Sequence, residues 1–372
     1  MGQPIDKITL KGFKSIRDLE DFPLRSLNIL IGANGAGKSN FVSFFTFLRE
    51  AVEQRLSLYV AKRGGADDHL FLGPKVTEQI CAHLHFGLKG YEFSLAPTTD
   101  NSFVFADESI EYPDAHKPVV KSHIGQGRRE SVLRELSRDE DLHPLVMHAC
   151  KSIYESISGC VVYHVHDTSD TAGIRRFGSV RDNEYLRTDA TNLAAFLLVL
   201  HDKYPDVYGG IRATIRLATP FFDDFKLRPN PSNGDAVLQL EWMQKDRDYP
   251  FHASQLSDGT LRFIALTTAL LQPHPPTTIL LDEPELGLHP YALNLLAAML
   301  KEAATRTQVI VSTQSMLLVN NFEAEDIIVV ERREGESTFK RQSSADLGEW
   351  LKDYSLGELW LKNVLGGRPS HE

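Results

Sequence analysis

The sequence predicts an α/β protein with a doubly wound core, an antiparallel β subdomain and an inserted, mainly helical lobe. Three observations predict it. Strand-like apolar runs alternate with helix-like stretches toward both ends of the 372-residue chain, the pattern of a sheet covered on both faces. Between residues 80 and 110, three β-rich stretches are separated only by short turns. A middle section cut by prolines reads as short helices and loops.

Taken in order, Ile8-Thr9-Leu10 and Leu27 to Ile31 read as strands around a loop containing Gly12-Phe13-Lys14-Ser15. A helix starts near Lys38, where Phe41, Phe44, Phe45, Leu48, Val52 and Leu56 recur at helical spacing and form a core face. It ends before Gly64-Gly65. Ile80 to Phe86, Tyr91 to Ala96 and Phe103 to Ile110 follow as an antiparallel meander, punctuated by Gly87, Gly90 and Pro97 to Asn101. Pro113, Pro118, Pro144, Pro205, Pro220, Pro229 and Pro231 divide the next section, within which Leu193 to Leu200 is apolar all round and reads as a buried helix.

Regularity returns at Ser257. A helix over Thr260 to Leu271 stops before Pro273, a buried strand covers Thr277 to Leu281, and a helix carries Pro290 in its first turn. Strands follow at Val309 to Ser312 and Ile327 to Glu331. The expected division is a head from residues 1–111 and 251–345, an inserted lobe over 112–250, and a C-terminal helical tail over 346–372.

Composition narrows the function. Cys81, Cys150 and Cys160 have no CxxC spacing, which excludes a disulfide scaffold or a zinc finger and points to the reduced cytoplasm. The longest apolar run, Leu193 to Leu200, is too short to cross a bilayer, so no membrane role is expected. Forty basic residues against 50 acidic ones leave a net charge of −10, so contact with nucleic acid would need a local basic patch. Arg128-Arg129, Arg175-Arg176-Arg181-Arg187 and Lys226-Arg228 are the candidates, provided the fold gathers them.

Gly32-Ala33-Asn34-Gly35-Ala36-Gly37-Lys38-Ser39 fits the phosphate-loop pattern GxxxxGK[ST], between an apolar strand and a helix as that pattern requires. Its glycines let backbone N–H groups close around phosphate oxygens at a helix N-terminus. Lys38 would reach the β- and γ-phosphates, and Ser39 would ligate Mg²⁺. Further on, Thr277 to Leu281 is an apolar strand ending in Asp282-Glu283. Asp282 is placed to serve the metal and Glu283 to deprotonate the attacking water. Leu256-Ser257-Asp258-Gly259-Thr260 precedes that strand and opens a helix, where Ser257 and the Gly259 N–H can meet a phosphate.

This order of motifs resembles the ABC-type ATPases, with Leu256-Ser257-Asp258-Gly259-Thr260 as a variant of their signature. Within them, the RecF/SMC-like branch is the nearest resemblance. It rests on Ile8-x-Leu10-Lys11-Gly12-Phe13-Lys14-Ser15, on Asn40 after Ser39, and on Asp282-Glu283-Pro284-Glu285-Leu286-Gly287-Leu288-His289-Pro290. The ending, Leu356-Gly357-Glu358-Leu359-Trp360 with Gly366-Gly367-Arg368-Pro369, is similar to that of stand-alone RecF-like ATPases of bacteria.

The resemblance implies an ABC-type head that binds and hydrolyses ATP with Mg²⁺. It implies a homodimer in which Ser257 and Gly259 engage the nucleotide held by the other copy. Gln314, in Val311-Ser312-Thr313-Gln314-Ser315, stands where the family usually has a histidine facing the γ-phosphate. Its amide can donate a hydrogen bond but carries no imidazolium charge, so slow turnover is expected. Gln54 and Gln79 both fit the family's first-lobe glutamine poorly. His164 and His166 share a strand face next to Asp167, an arrangement that some metal sites use. Two jobs remain open: a clamp acting on duplex DNA in repair or genome maintenance, and a switch for a separately encoded nuclease or other effector, as in anti-phage modules. A transporter subunit fits less well because of the long insertion between phosphate loop and signature.

Overall fold

The strand Leu27–Ile31 is buried along its whole length, and the fold is built around it. In the computed structural model, which describes residues 2–114, 117–231 and 236–367, it lies inside a six-stranded sheet. The order is Glu336–Arg341, Ile327–Arg333, Leu27–Ile31, Gln308–Thr313, Thr278–Asp282 and Cys160–Tyr163. All neighbours pair in parallel except the outermost strand, Glu336–Arg341. Alternate residues serve opposite faces. Leu30, Leu280 and Ile310 join one core with Phe41, Phe44 and Phe45 of the helix Lys38–Val52. Ile29, Ile31, Ile279, Leu281, Val309 and Val311 join the other core, under the helices Asp258–Leu271 and Pro290–Ala303. Near-continuous apolar strands follow from burial on both faces.

The second sheet is antiparallel, in the order Ile16–Pro23, Lys7–Phe13, Ile80–Phe86, Lys89–Pro97, Phe103–Tyr112 and Val120–Gly125. Ile80, Ala82, Leu84 and Phe86 point into the core, while Cys81, His83 and His85 are half-exposed. One covered face and one wetted face produce that alternation. The helix Lys38–Val52 is therefore packed between two sheets, which explains its buried phenylalanines.

Two differences from the sequence reading stand out. The strand Ile16–Pro23 is additional, and it places Lys7–Phe13 and Leu27–Ile31 in separate sheets. The head also takes in much of the section expected as inserted lobe. Val120–Gly125 is the sixth antiparallel strand, Pro144–Ser158 is a helix packed in the same core, and Cys160–Tyr163 is an edge of the parallel sheet. Prolines read as breaks do not separate domains here; Pro144 and Pro205 each open a helix, where a missing N–H does no harm. Beyond Tyr163 the insertion contains the helices Leu193–Lys203 and Pro205–Ala218. It also holds a three-stranded sheet of Phe222–Phe225, Glu241–Gln244 and Phe251–His252.

In the tail, the helix Leu356–Leu361 starts with a Ser355–Glu358 capping box, and the Gly357 N–H donates to Asn320 Oδ1 at 2.7 Å. Arg368, Pro369 and the rest of the tail to residue 372 lie outside the described residues. The three cysteines are free thiols, and burial pushes Cys150 and Cys160 up to about 12. Among the described residues, no helix is long and apolar enough to cross a membrane.

Candidate nucleotide site

The phosphate loop leaves Leu27–Ile31 at the carboxyl edge of the parallel sheet, where open α/β sheets hold their ligands. Gly37 caps the helix at φ 111°, a conformation that disfavours a side chain. A Cβ on Gly32 would collide with the Val330 carbonyl, so the loop runs hard against the neighbouring strand. The Lys38 ammonium folds back over the loop, donating to Gly32 O at 2.7 Å and Ala33 O at 3.0 Å. Burial lowers its pKa, and the nearby Glu283, Asp282 and Glu285 carboxylates oppose that shift. Asn34, Gly35 and Ser39 are exposed at the mouth, while Ala36 is buried beneath it. Asn40, which the resemblance would count among the nucleotide-binding residues, donates its amide to Ser15 Oγ at 2.7 Å, tying the helix to the first hairpin.

The carboxylates meet this loop. Ser39 Oγ lies 3.4 Å from Asp282 Oδ1, close enough for both to hold one ion with bonds of about 2.0–2.1 Å. Their hard oxygens suit Mg²⁺. Ser312 Oγ, on the next strand, donates to the same Asp282 oxygen. Glu283 leaves its strand at φ 45°, with its N–H donating to Ser312 O at 2.9 Å. Its Oε1 accepts a hydrogen bond from the Gln314 amide. Glu285 supports Gln314 from behind: its Oε1 accepts from Thr313 Oγ1 at 2.7 Å and from the Gln314 N–H at 2.8 Å. Burial pushes the Glu285 carboxyl up, and its Oε2 has no partner. Ser39, Asp282, Glu283 and Gln314 thus form one hydrogen-bonded cluster beside Lys38.

Ser257 and Gly259 make other contacts. Ser257 caps the helix Asp258–Leu271 by accepting from the Thr260 N–H at 3.2 Å, and Gly259 packs against the Gly287 carbonyl. Two buried arginines build this corner. Arg175 donates to Thr168 O at 2.7 Å, to Ala253 O, to Leu256 O at 3.2 Å and to Asp258 Oδ1 at 2.8 Å. Arg262 donates to Val165 O at 2.8 Å, His166 O at 3.1 Å and Leu286 O. Arg175 is therefore removed from the basic patch that the sequence suggested. Arg128, Arg129 and Arg187 pair with Glu135, Asp100 and Asp182.

Other candidates do not join the site. Gln54, past the far end of the phosphate-loop helix, donates to Glu135 Oε1 at 2.9 Å, and Gln79 precedes a strand of the antiparallel sheet. The His164 and His166 rings lie 6.1 Å apart, and Asp167 turns to Ser169; no three-ligand set forms there among the described residues.

Residues 165–320 match the model of a family described as "AAA domain, putative AbiEii toxin, Type IV TA system". Among solved structures, an SMC head bound to the C-terminal winged-helix domain of ScpA aligns with a TM-score of 0.61 at 17% identity. The alignment covers 94% of this chain and 99% of that one. An SMC head with an extended coiled coil bound to the C-terminal domain of ScpA, derived from Pyrococcus furiosus, aligns with a TM-score of 0.55 at 18% identity. It covers the same shares, 94% and 99%. The chain has the fold of an SMC head. No curated protein matches its sequence. The family match spans residues 256–260 and the strand ending in Asp282-Glu283, while the phosphate loop lies outside it. Sequence reasoning missed Ser15, Ser312, Glu285, Arg175 and Arg262 as supports of the site. It also missed Arg332, whose guanidinium donates to Gly35 O at 3.4 Å. Serines and arginines far along the chain carry no spacing signal that ties them to a phosphate loop.

Proposed function

We propose that this protein is an ATPase of the ABC type, an ATP-driven switch in which nucleotide binding joins two copies head to head and hydrolysis releases them. The observation that carries the reading is that the phosphate, metal and base residues gather in one hydrogen-bonded cluster of which Ser257 and Gly259 are not members. Ser257 bonds instead to Thr260, and Gly259 packs on Gly287. A second copy would bring its signature to the γ-phosphate. Lys38 and the loop amides would hold the phosphates, with Ser39 and Asp282 as Mg²⁺ ligands; the ion supplies charge neutralisation at the β- and γ-oxygens. Glu283 would take a proton from the attacking water, and Gln314, now bonded to Glu283, would turn its amide toward the γ-phosphate.

For the output, the reading is a separately encoded protein partner. Supporting it are the likeness of residues 165–320 to a family described by a toxin–antitoxin system, and the internal use of Arg175. The solved SMC heads of similar fold were also captured with domains of ScpA, another protein. The test is ATP turnover with and without linear duplex DNA, with Glu283→Gln as the blank. Glu283→Gln should lower turnover by about 10²–10⁴-fold, keep nucleotide binding and accumulate a dimer on a sizing column with ATP and Mg²⁺. A variant that stays monomeric would overturn the two-site arrangement. Turnover stimulated by DNA, and silent in the blank, would replace the protein-partner reading with a DNA clamp.

A further inference from the structure

We propose that His83, His85 and Glu111 form a binding site for one divalent transition-metal ion of the zinc class, on the outer face of the antiparallel sheet. This site is separate from the nucleotide site. His83 and His85 are two residues apart on Ile80–Phe86, so both point out of the same face, away from Leu84 and Phe86 in the core. Across the sheet His85 pairs with Gly90, and Gly90 pairs with Glu111. The middle strand thus presents no side chain where His85 and Glu111 lean toward each other. A Cβ on Gly90 would come within 2.6 Å of Glu111 Oε2 and 3.1 Å of His83 Nε2.

The donor atoms converge. One ligand atom from each residue lies within 4.8 Å of the other two. His83 Nε2 is 3.3 Å from Glu111 Oε2, which matches the edge of a tetrahedron around an ion with bonds of about 2.0–2.1 Å. Despite that approach, His83 Nε2 is shielded from solvent and has no hydrogen-bond partner. A buried nitrogen of this kind is normally satisfied, and a shared cation would satisfy it. The His83 and His85 rings lie 4.0 Å apart, an approach that suits two neutral imidazoles on one ion. Lys7, the cation across from His85, is already engaged by Asp21 at 2.9 Å. Two imidazoles and one carboxylate suit zinc-class ions better than Mg²⁺ or Ca²⁺. The three ligands come from two strands separated by a third, so the ion would staple half of the sheet.

The test is calorimetric titration of the chelator-treated, nucleotide-free full chain with zinc chloride, repeated with Co²⁺ to read its visible absorption. One ion per chain is expected, with a tetrahedral Co²⁺ spectrum. His83→Gln and Glu111→Gln should each weaken it by at least about 10-fold, and Gly90→Ala should weaken it while leaving all three ligands in place. ATP turnover, which uses none of these residues, should be unchanged and reports that each variant is folded. His166→Gln should bind as the parent does. No stoichiometric zinc uptake by the parent, undiminished uptake by His83→Gln and Glu111→Gln, or loss in His166→Gln would each overturn the assignment.

Discussion

Glu283 and Gln314 are hydrogen-bonded to each other. The amide fills one of the carboxylate's acceptor sites and, unlike an imidazole, cannot take up the proton that the carboxylate removes from water. Replacing Gln314 with histidine should therefore raise kcat several-fold, measured as steady-state phosphate release at saturating ATP and Mg²⁺. An unchanged kcat would show that Gln314 does not limit turnover. Glu285 sets the stage for this pair by holding Thr313 and the Gln314 backbone. Gly32 has a different role, since a Cβ on it would collide with the Val330 carbonyl, and a Cβ on Gly367 would come within 3.3 Å of the Gly32 Cα. The C-terminal segment thereby touches the start of the phosphate loop.

At the scale of elements, the first turn of Asp258–Leu271 is held in place by Arg175 from the insertion. Its planar fork reaches three backbone carbonyls and one carboxylate, a set that a lysine cannot satisfy. Arg175→Ala leaves Thr168 O, Ala253 O and Leu256 O without that donor. We expect a loss of about 2–4 kcal/mol in urea unfolding. ATP-dependent association should be lost as well, while the monomer still binds nucleotide. Association that survives intact would mean that the corner holds its shape without the arginine. The insertion is thus coupled to the signature by a buried side chain.

Over the whole molecule, a second buried network ties the antiparallel sheet to the segment that crosses back toward the P-loop helix. Glu108 accepts from Tyr91 Oη at 2.6 Å, from Ser131 Oγ and from the Val132 N–H at 3.1 Å. Burial nevertheless pushes the Glu108 carboxyl above its ordinary 4.5, because desolvation outweighs its donors. The folded state then binds a proton more tightly than the unfolded state. The stability contributed is complete below the ordinary value and is lost as pH rises through the raised one. Glu108→Gln has no such proton. The Tm difference between parent and Glu108→Gln should shrink as pH rises from below 4.5 toward neutral. A difference that is constant across that range would remove Glu108 from the pH response.

Local spacing carried the nucleotide motifs: Gly32 to Ser39, Asp282-Glu283 and Ser257 to Thr260 each lie within a few residues, where turn geometry and strand alternation act directly. The same local rules announced the strand–helix alternation and the three-stretch meander, and the likeness to SMC heads agrees with them. They failed between residues 112 and 163, where Pro144 looked like a break and is instead the first residue of a packed helix. The 3.4 Å approach of Ser39 to Asp282 joins residues 243 positions apart, and no local rule reports such a distance. The same holds for Arg175, a surface-looking basic residue that the fold buries under the signature, and for His85, Gly90 and Glu111, aligned only by strand register. The sequence by itself determined the class of chemistry, because phosphate loops and strand-end carboxylates are made by neighbours in the chain. Which distant side chains complete the site, and which charges stay free, only the tertiary structure decided, because burial and pairing depend on what the rest of the chain packs against them.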